Sequence, residues 1–340
     1  MKLLTRDEFR EGVFERDNHK CVICQEPAQD AHHIIERRLF TDGGYYLENG
    51  ASLCGQHHIL AETTELSVEE IREKAGLSKT LLPEHLYKDS KYTKWGDIVL
   101  SNGQRIPGEL FHDESVQKIL KQGNVLDLYT HFVKYPRSYH APWSGCIGKD
   151  DKIQTNLDLF NEELVITEKL DGENTTMYND YIHARSIDGN SHHTQSWVRN
   201  FHSTIAHDIP HGWRICGENM FAKHSIKYDN LESFFYIFSI WNEKNECLSW
   251  DETTEWAQLL NIPTVPLIYM GKWDGKPEKI HDFVWKKKYD ETQHEGYVIR
   301  SAGQFHYSQF RNKLLKYVRT NHVTSASHWK FERIEQNKLK

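Results

Sequence analysis

Short apolar segments separated by turn residues form a regular pattern from about residue 140 onward. Aromatic and β-branched residues are frequent in these segments, which read ELVITEKL, TTMYNDYIHARSI, WRICGEN, FFYIFSIW and EGYVIR. Segments of this length and composition are typical of strands, and the turn residues between them favour antiparallel pairing. The pattern therefore predicts a β-rich domain of the α+β class over residues 138–340.

The N-terminal region has helical spacing instead. In TRDEFREGVFERD, the apolar residues Phe9, Val13 and Phe14 recur at the spacing of one helix face, which predicts a helix that begins near Thr5. We expect this helix to open a small module that spans residues 1–75.

The region that follows is less regular. Ser67-Val-Glu-Glu70 forms a capping box and Gly76 is a good C-cap residue, so a short helix is predicted between them. Residues 76–137 mix turn signals with a helical pattern near 114–135. We expect a connecting segment or a small accessory domain here.

The composition is that of a soluble, folded protein. Of the 340 residues, 38% are hydrophobic and 12% are aromatic, which is enough for packed cores and predicts two domains, or three. No apolar run approaches the roughly 20 residues of a membrane span. Charged residues also follow the N-terminus too soon for a secretory signal. We expect a monomeric, cytoplasmic protein without a membrane partner.

The net charge excludes a globally basic nucleic-acid-binding protein. The formal charge is −7 at pH 7 when the 21 histidines are counted as neutral. Nucleic-acid binding would then need a local basic patch, and residues 272–289, KWDGKPEKIHDFVWKKKY, are one candidate. From charge alone, the favoured alternative for this segment is a solvated helix face.

Two pairs of residues near the N-terminus have the spacing of a zinc site. Cys21 and Cys24 form a CxxC pair, and Cys54 and His57 form a CxxH pair further along. Together they supply three thiolates and one imidazole, a set that binds zinc tetrahedrally. The double spacing disfavours the alternative of two unrelated pairs of buried cysteines. Six cysteines in this length also do not indicate a disulfide framework.

Further polar residues accompany the zinc ligands in a fixed order. His32 and His33 precede Asn49, and His58 follows the second pair directly. Over residues 8–62 this order resembles the HNH (ββα-metal) endonucleases. The resemblance implies that His33 is the general base that activates water and that His32 and His58 bind a divalent metal ion. It also implies that Asn49 orients the loop.

The resemblance leaves two alternatives open for this module. A second, acidic ligand for the divalent metal is not evident in the sequence, and Asp30 is one candidate. The module could instead be a structural zinc finger whose histidines are incidental. It could also be a degenerate finger that contacts nucleic acid without cutting it.

A candidate nucleophile lies in the stretch TEKLDGENTT, residues 167–176. Lys169 comes two residues before an Asp-Gly pair, which by itself is a common turn signal. Five more motifs follow in order: Ala184-Arg185-Ser186, Cys216-Gly-Glu-Asn219, Phe234–Trp241, Glu295–Arg300 and Lys313–Val318. Over residues 138–325 this set resembles the covalent nucleotidyltransferases, which include DNA ligases, RNA ligases and mRNA capping enzymes.

The resemblance is greatest to RNA ligases. Glu168 directly before the lysine and Asn174 five residues after it look like the RNA ligases that seal nicked duplexes. The placement of an accessory domain in front of the ligase core also resembles the domain order of RNA ligases of the Deinococcus type. Only 24 residues follow Lys316 in the 340-residue chain, which we expect to be too few for the OB-fold domain of DNA ligases and capping enzymes.

The resemblance implies that Lys169 attacks the α-phosphorus of ATP and carries AMP. AMP then passes to a 5′-phosphate end, and a 3′-hydroxyl displaces it. A lysine amine has an ordinary pKa of about 10.4, so it is protonated and unreactive at neutral pH. We expect a divalent metal ion or Lys316 to favour the neutral amine, and Lys316 to contact the α-phosphate.

The other site residues take their roles from the same resemblance. Glu218 and Glu295 are expected to bind the ribose or a Mg²⁺ or Mn²⁺ ion, and Arg185 the ribose or the 5′-phosphate. Phe238 is expected to stack on adenine, and Asn174 to order metal-bound water. Each residue alone also fits an ordinary role on the surface or in the core.

Two positions depart from the superfamily pattern. Many members have a second basic residue where this chain has Val318, so we expect Arg319 or Lys313 to fill that role. The acidic residue that commonly follows the stacking aromatic residue is replaced by Ser239. Both departures concern the nucleotide contacts and leave the nucleophile in place.

The sequence therefore predicts an ATP-dependent RNA ligase with a zinc-bound HNH-like module, acting on nicked duplexes that contain RNA. One alternative is an HNH endonuclease that uses the ligase-like domain as a binding platform, and another is a dual nuclease–ligase repair protein. A third alternative is a zinc docking module joined to a silent ligase domain. The presence of Lys169, Glu218 and Glu295 disfavours the third.

Overall fold

The chain divides into two units, Met1–His131 and Phe132–Lys340. A computed structural model describes residues 1–130, 132–187, 195–285, 293–320 and 335–340. Helices and mostly antiparallel sheets occur together in both units, which confirms the predicted α+β class. In these described ranges, no helix has the length and apolar character needed to cross a membrane.

Helices and short strands make up the first unit. The helices are α1 (Arg6–Arg16), α2 (Gly55–Glu62), α3 (Val68–Lys74) and α4 (Glu114–Gln122). The strands are β1 (Asp30–His33), β2 (Gly50–Leu53), β3 (Lys91–Tyr92), β4 (Ile98–Val99) and β5 (Arg105–Ile106). Strands β1 and β2 pair with each other, and β3, β4 and β5 form a separate antiparallel sheet.

Two helix starts predicted from the sequence are confirmed. Thr5 caps α1 and takes part in a reciprocal capping box. Ser67 caps α3, and Gly76 follows the end of this helix with a φ of +68°. The helical pattern predicted over 114–135 is wrong beyond residue 122, because α4 ends there and Asn124 adopts a φ of +52° that no α-helix accommodates.

The first unit has the ββα order of the predicted module. Strand β1 pairs antiparallel with β2, and α2 follows β2 directly. The core next to this motif contains Ile34, Ile35 and Ile71, and it also includes Leu86 and Tyr92. Residues on both sides of position 75 therefore share one hydrophobic core.

The second unit is rich in strands. They are β6 (Tyr139–His140), β7 (Glu163–Lys169), β8 (Glu173–Met177), β9 (Ile182–Ala184), β10 (Arg214–Asn219), β11 (Phe235–Trp241), β12 (Glu246–Cys247), β13 (Leu267–Lys272), β14 (Gly296–Ser301), β15 (Phe305–His306) and β16 (Leu314–Val318). The helices are α5 (Ser196–Ile205), α6 (Trp250–Leu259) and α7 (Phe310–Lys313). All five apolar segments identified in the sequence form strands, as predicted.

Two sheets of the second unit carry the candidate site. One has the order β15-β12-β11-β10-β8-β9, and the other has the order β13-β7-β14-β16-β6. Pairing of β14 with β7 places Gly296 opposite Lys169, and pairing of β10 with β8 places Glu218 opposite Asn174. Motifs far apart in sequence are thus brought to neighbouring positions by strand register.

The basic segment 272–289 falls only partly within the described residues. It begins at the end of β13 and continues through a helical turn at His281–Trp285, whereas residues 286–289 lie outside the described part of the chain. Ile280 and Val284 are fully buried in the second unit. The described part of this segment is therefore packed on one side and is not a simple solvated helix face.

Candidate active site and metal centre

The four predicted zinc ligands lie together in the first unit. The Sγ atoms of Cys24 and Cys54 are 3.8 Å apart, and His57 Nδ1 lies 3.2 Å from Cys54 Sγ and 3.6 Å from Cys21 Sγ. A tetrahedral zinc ion with Zn–S bonds of about 2.3 Å spaces its ligands by about 3.8 Å. The backbone N–H of His57 also lowers the pKa of the Cys54 thiol, which favours the thiolate form. The set can therefore hold a zinc ion.

A second cluster joins His32 and His58 to Glu62, which sequence analysis did not identify. Glu62 Oε1 lies 3.4 Å from His32 Nδ1 and 3.3 Å from His58 Nε2, and Asp30 Oδ2 lies 3.7 Å from His58 Nδ1. Glu62 follows His58 by one turn of α2, which is the signal that could have revealed it. The three ligand atoms lie close enough to share a metal ion. However, the same Glu62 oxygen accepts a hydrogen bond from Lys94, so a divalent ion would have to displace a lysine.

His33 lies outside that cluster. Neighbouring residues of a strand face opposite sides, and the His33 ring stacks on Phe9 with the centroids 4.4 Å apart. Burial lowers the pKa of His33 to about 4, so its ring is neutral at pH 7. Asn49 is buried, and its amide donates hydrogen bonds to the carbonyl oxygens of Ile35 and Gly44. The structure thus places the predicted base and Asn49 beside, but not among, the predicted metal ligands.

Lys169 lies at the end of β7, at the edge of a cavity of about 550 Å³ in the second unit. Its Nζ donates a hydrogen bond of 2.6 Å to Glu295 Oε2, and Glu295 immediately precedes β14. The predicted site residues that line this cavity are Glu168, Lys169, Asn174, Arg185, Glu218, Phe238 and Lys316. Glu295 completes the set through its contact with the lysine, so the fold gathers all eight predicted residues in one place.

Two motif glycines are required by close backbone contacts. A Cβ atom on Gly172 would lie 2.6 Å from the carbonyl oxygen of Asn219, and one on Gly296 would lie 1.9 Å from that of Tyr317. Both neighbours are backbone atoms of paired or adjoining strands, so neither can move aside cheaply. The Asp-Gly pair that follows Lys169 is therefore a packing requirement of the site and not merely a turn.

Opposing charges set the protonation of the site. Burial alone would lower the pKa of Lys169, but Glu295 and Glu218 outweigh burial and raise it. Burial raises the pKa of Glu218 to about 8. Burial and the neighbouring Lys169 lower the pKa of Lys316. Repulsion between Lys316 and Lys169 acts in the expected direction, toward the neutral amine, but by itself it does not outweigh the two carboxylates.

Several polar groups around the cavity have no protein partner within the described residues. Asn174 Oδ1 is buried and accepts no hydrogen bond. The guanidinium of Arg185 and the ammonium of Lys316 make no hydrogen bond or ion pair with any described side chain or backbone group. Buried polar atoms without partners are rare in folded proteins. The cavity is therefore suited to a polar ligand that carries negative charge.

An aromatic pair forms one wall of the cavity. The Phe238 ring meets the Tyr135 ring edge-on, with the centroids 5.0 Å apart, and both residues line the cavity. On another side, His294 Nδ1 lies 2.9 Å from Glu168 Oε1. The aromatic wall offers a stacking surface for a flat ligand, beside the cations that would meet a charged one.

The predicted substitutes for the second basic residue of the last motif do not line the cavity. Lys313 pairs with Glu162. Arg319 Nε donates to the backbone oxygen of His294 at 2.9 Å. Lys316 is therefore the residue of this motif that supplies positive charge to the cavity lining.

Sequence analysis also missed the residues that hold the turn after Lys169. Asp171 Oδ2 accepts hydrogen bonds of 2.7 and 2.8 Å from the backbone N–H groups of Ser225 and Ile226. The Asp171 N–H donates to Tyr228 Oη at 3.2 Å, and Tyr228 N–H donates to Asn337 Oδ1 at 2.9 Å. These partners lie far apart in sequence, so no local spacing announces them.

The sequence model of the RNA ligase family matches residues 162–318. No curated protein matches the chain in a sequence search. The family match begins just before β7 and ends with β16, so it includes the described strands of both sheets around the cavity except β6.

Solved structures of an RNA ligase from Naegleria gruberi are similar to part of the chain. A mutant with ATP and Mn is 19% identical over 51% of this chain and 56% of that chain, with a TM-score of 0.35. An apo mutant is 17% identical over 55% and 61%, with a TM-score of 0.36. A complex with PPi is 17% identical over 56% and 60%, with a TM-score of 0.35. The chain spans a little over half the length of these structures.

The family match and the predicted site coincide. Lys169, Glu218 and Glu295 all lie within the matched residues, as do the other five predicted site residues. Over residues 162–318 the chain is therefore similar to RNA ligases, which confirms the family-level resemblance seen in its ordered motifs.

Proposed function

We propose that the second unit is an ATP-dependent RNA ligase that joins 5′-phosphate and 3′-hydroxyl ends through a lysyl-AMP intermediate. The observation that carries the proposal is the placement of the Lys169 amine. It contacts Glu295 at the edge of a cavity that also holds Glu218, and that includes an Asn174 oxygen and a Lys316 ammonium without partners among the described residues. A triphosphate needs such cations, and a flat base needs the adjoining aromatic wall.

The reaction follows from these residues in three steps. The neutral Lys169 amine attacks the α-phosphorus of ATP, a P–N bond forms, and the bond to the departing pyrophosphate oxygen breaks. A 5′-phosphate oxygen of the strand then attacks the same phosphorus, which releases Lys169 and leaves AMP on the strand. The 3′-hydroxyl finally attacks the 5′-phosphorus and expels AMP. Lys316 faces the transferred phosphate in the first two steps, where negative charge develops.

The acidic residues suit a divalent ion. Two carboxylates, Glu218 and Glu295, and the amide oxygen of Asn174 are hard oxygen donors of the kind that Mg²⁺ and Mn²⁺ prefer. When bound there, such an ion adds positive charge that favours both ionised Glu218 and the neutral Lys169 amine. Without added charge, the chain's own carboxylates hold Lys169 as an ammonium.

A covalent labelling experiment tests the nucleophile. The full chain is incubated with ATP labelled at the α-phosphate and with Mg²⁺ or Mn²⁺, and the labelled peptide is identified by mass spectrometry. We expect one AMP on Lys169 and none in Lys169→Ala. Lys313→Ala is the matched control, because Lys313 pairs with Glu162 outside the cavity and its loss should leave the adduct in place. An adduct that persists in Lys169→Ala would falsify the assignment.

We propose nicked duplexes that contain RNA as the substrate. The resemblance of Glu168 and Asn174 to nick-sealing RNA ligases supports this choice. Sealing should be compared on a nicked duplex, on a duplex with a one-nucleotide gap and on a single strand, with RNA or DNA supplying the 3′-hydroxyl. The nicked duplex with an RNA 3′-hydroxyl should be sealed fastest. Equal rates on the single strand would contradict the nick preference and leave the lysyl-AMP chemistry intact.

We propose a structural zinc ion in the first unit, held by Cys21, Cys24, Cys54 and His57. The ligand spacing supports zinc, and a closed set of four protein ligands is typical of structural sites. Metal analysis of protein purified without chelator should find about one zinc per chain. Protein that contains no zinc under these conditions would refute the site.

For the first unit as a whole, we propose that it contacts nucleic acid without cutting it. The charged and histidine side chains that line a cavity of about 350 Å³ in this unit are three arginines, one carboxylate and two histidines: Arg6, Arg10, Arg37, Asp30, His33 and His58. Three guanidinium groups around one cavity favour a phosphate ligand. Against a nuclease, Lys94 already neutralises the carboxylate that a catalytic metal would need.

Two measurements separate contact from cutting. Arg6→Ala combined with Arg37→Ala should weaken binding of a nicked duplex and reduce the salt dependence of that binding. Incubation of the full chain with Mg²⁺ or Mn²⁺ should yield no cleavage of the duplex. Cleavage by the natural protein that disappears in His33→Ala would overturn this proposal in favour of the HNH nuclease alternative.

A further inference from the structure

A second cavity of about 570 Å³ adjoins the candidate active site in the second unit. The two cavities share Tyr135, Pro136, Arg185 and Ser186 in their linings. Lys134 and Arg137 line the second cavity but not the first. Arg185 is the one predicted site residue that reaches both, so the second cavity continues the first in the direction of this arginine.

The charged side chains that line the second cavity are all positive, although the carboxylate of Asp151 outside the lining interacts with Arg137 and Arg185. Lys134, Arg137 and Arg185 contribute cations, and no described carboxylate lines the cavity. Arg137 Nη1 donates to the backbone oxygen of Asp150 at 2.7 Å, which fixes the side chain without neutralising it. The side-chain ammonium of Lys134 and the guanidinium of Arg185 have no hydrogen-bond or ion-pair partner among the described residues. Burial and the nearby Arg137 lower the pKa of Arg185 more than Tyr135 and Asp151 raise it, so the repulsion between the two arginines is only partly offset.

The segment that carries these cations is fixed on the sheet. Val133 N–H donates to Tyr178 Oη at 2.8 Å, and Tyr307 Oη donates to the backbone oxygen of Lys134 at 2.9 Å. The Tyr135 ring packs edge-on against Phe238 and Phe310. Like charges brought together by a rigid backbone destabilise the protein unless an anion binds between them. The arrangement therefore favours an anionic ligand over a chance surface cluster.

We propose that this second cavity binds phosphate groups, and specifically those at the 5′-phosphorylated end of the RNA strand that receives AMP. The assignment rests on the proposed ligase function. Arg185 touches both cavities, so a strand end in the second would present its terminal phosphate to the AMP on Lys169 in the first. The cavity volume of about 570 Å³ lies in the range of pockets that bind small organic ligands, so the end of a strand can enter it.

Binding measurements test the cavity without relying on catalysis. The full chain is titrated with two nicked duplexes that differ only in a 5′-phosphate or a 5′-hydroxyl at the nick. The natural protein should bind the phosphorylated duplex more tightly, and Lys134→Ala combined with Arg137→Ala should lose at least about tenfold of that preference. Lys244→Ala removes an exposed lysine outside both cavities and is the matched control. An unchanged preference in the double variant overturns the proposal.

Kinetics distinguish the strand from the triphosphate of ATP. The rate of Lys169–AMP formation is compared with the rate of AMP transfer from the preformed adduct to the 5′-phosphorylated nick. In the double variant, the ratio of transfer to adduct formation should fall at least about tenfold. A fall in adduct formation with normal transfer would assign the cavity to ATP and overturn the strand proposal. If the natural protein forms no adduct at all, the ligase function fails, while the binding preference still decides the cavity.

Discussion

The two units each contain a lysine in contact with a glutamate, and the two lysines are in opposite situations. In the first unit, Lys94 contacts Glu62 and its side chain is 7% exposed. In the second, Lys169 contacts Glu295 and its side chain is 25% exposed, at the edge of a cavity of about 550 Å³. The residue types are the same, but only the second ammonium is within reach of a ligand.

The surroundings of each lysine explain the difference. Lys94 lies 3.9 Å from a second carboxylate, Glu36, and 5.2 Å from the centre of the Trp95 ring, so protein groups enclose it. Around Lys169, by contrast, Asn174 and Lys316 have polar groups with no partner in the described chain. A buried lysine–glutamate contact is thus a structural link when it is enclosed, and a candidate reactive centre when unpartnered groups and space accompany it.

Removal of zinc should have the largest effect and should separate the two units. Cys21→Ser removes one thiolate, and structural zinc contributes on the order of 10 kcal/mol to the folding of small modules. We expect loss of zinc and of the first unit's cooperative unfolding, measured by metal analysis and calorimetry, while adduct formation on Lys169 persists. Cys146→Ser, which changes a free cysteine of the second unit, is the matched control. Loss of the adduct together with zinc would show that the units are not independent.

Exchange of each lysine for methionine addresses the comparison directly. Lys169→Met should abolish adduct formation, because no other side chain replaces the amine. Lys94→Met should leave adduct formation in place and destabilise the protein by about 3 kcal/mol, since it strands the carboxylate of Glu62. This is the low end for a broken buried pair, because the Glu62 side chain keeps 21% exposure. Denaturant unfolding and α-labelled ATP measure the two effects, and loss of the adduct in Lys94→Met would break the comparison.

Lys94→Met also tests whether the cluster of His32, His58 and Glu62 can bind a divalent metal ion. With Lys94 gone, His32, His58 and Glu62 have no competing ammonium, so Lys94→Met should bind a second divalent ion that the natural protein does not. Cobalt(II) titration followed by absorbance can count the sites. Two sites already present in the natural protein would mean that Lys94 does not exclude a metal ion, and the nuclease alternative would gain support.

Support for the turn after Lys169 should show a smaller effect. Asn337 is 1% exposed and bonds both Tyr228 and the backbone oxygen of Met220. Asn337→Ala should cost about 1–3 kcal/mol of unfolding free energy through the buried groups it leaves unpaired. It should also raise the KM for ATP in adduct formation, because the loop it holds contacts Asp171. Asn230→Ala, at an exposed position of the same loop, should change neither quantity.

The pH dependence of adduct formation should come from groups of the second unit. Only the neutral Lys169 amine attacks, and Glu295 and Glu218 raise its pKa above the working range despite burial. Single-turnover adduct formation should therefore rise by up to about tenfold per pH unit from pH 6 upward, and level off earlier at saturating Mg²⁺ or Mn²⁺. Burial lowers the pKa of His32 to about 3 and of His33 to about 4, so neither ring titrates there. A rate that falls with rising pH would exclude Lys169 as the titrating nucleophile.

The sequence by itself determined the features that depend on local spacing. The candidate zinc ligands are recognisable because the CxxC pair and the CxxH pair each have the local spacing with which two short segments together bind one zinc ion. The strands are recognisable because aromatic and β-branched residues recur in short segments bounded by turns. The eight predicted site residues, Lys169 among them, could be named because their motifs keep a fixed order, although only strand register makes them neighbours.

Only the tertiary structure decided how these groups behave. The contact of Lys94 with Glu62 joins residues from separate elements, and the support of Asp171 by Tyr228 and Asn337 spans most of the second unit. The raised pKa of Lys169 likewise depends on burial and on the distances to two carboxylates. Coulombic energies and desolvation are set by three-dimensional separation and by access to water, and neither quantity is encoded in the spacing of residues along the chain.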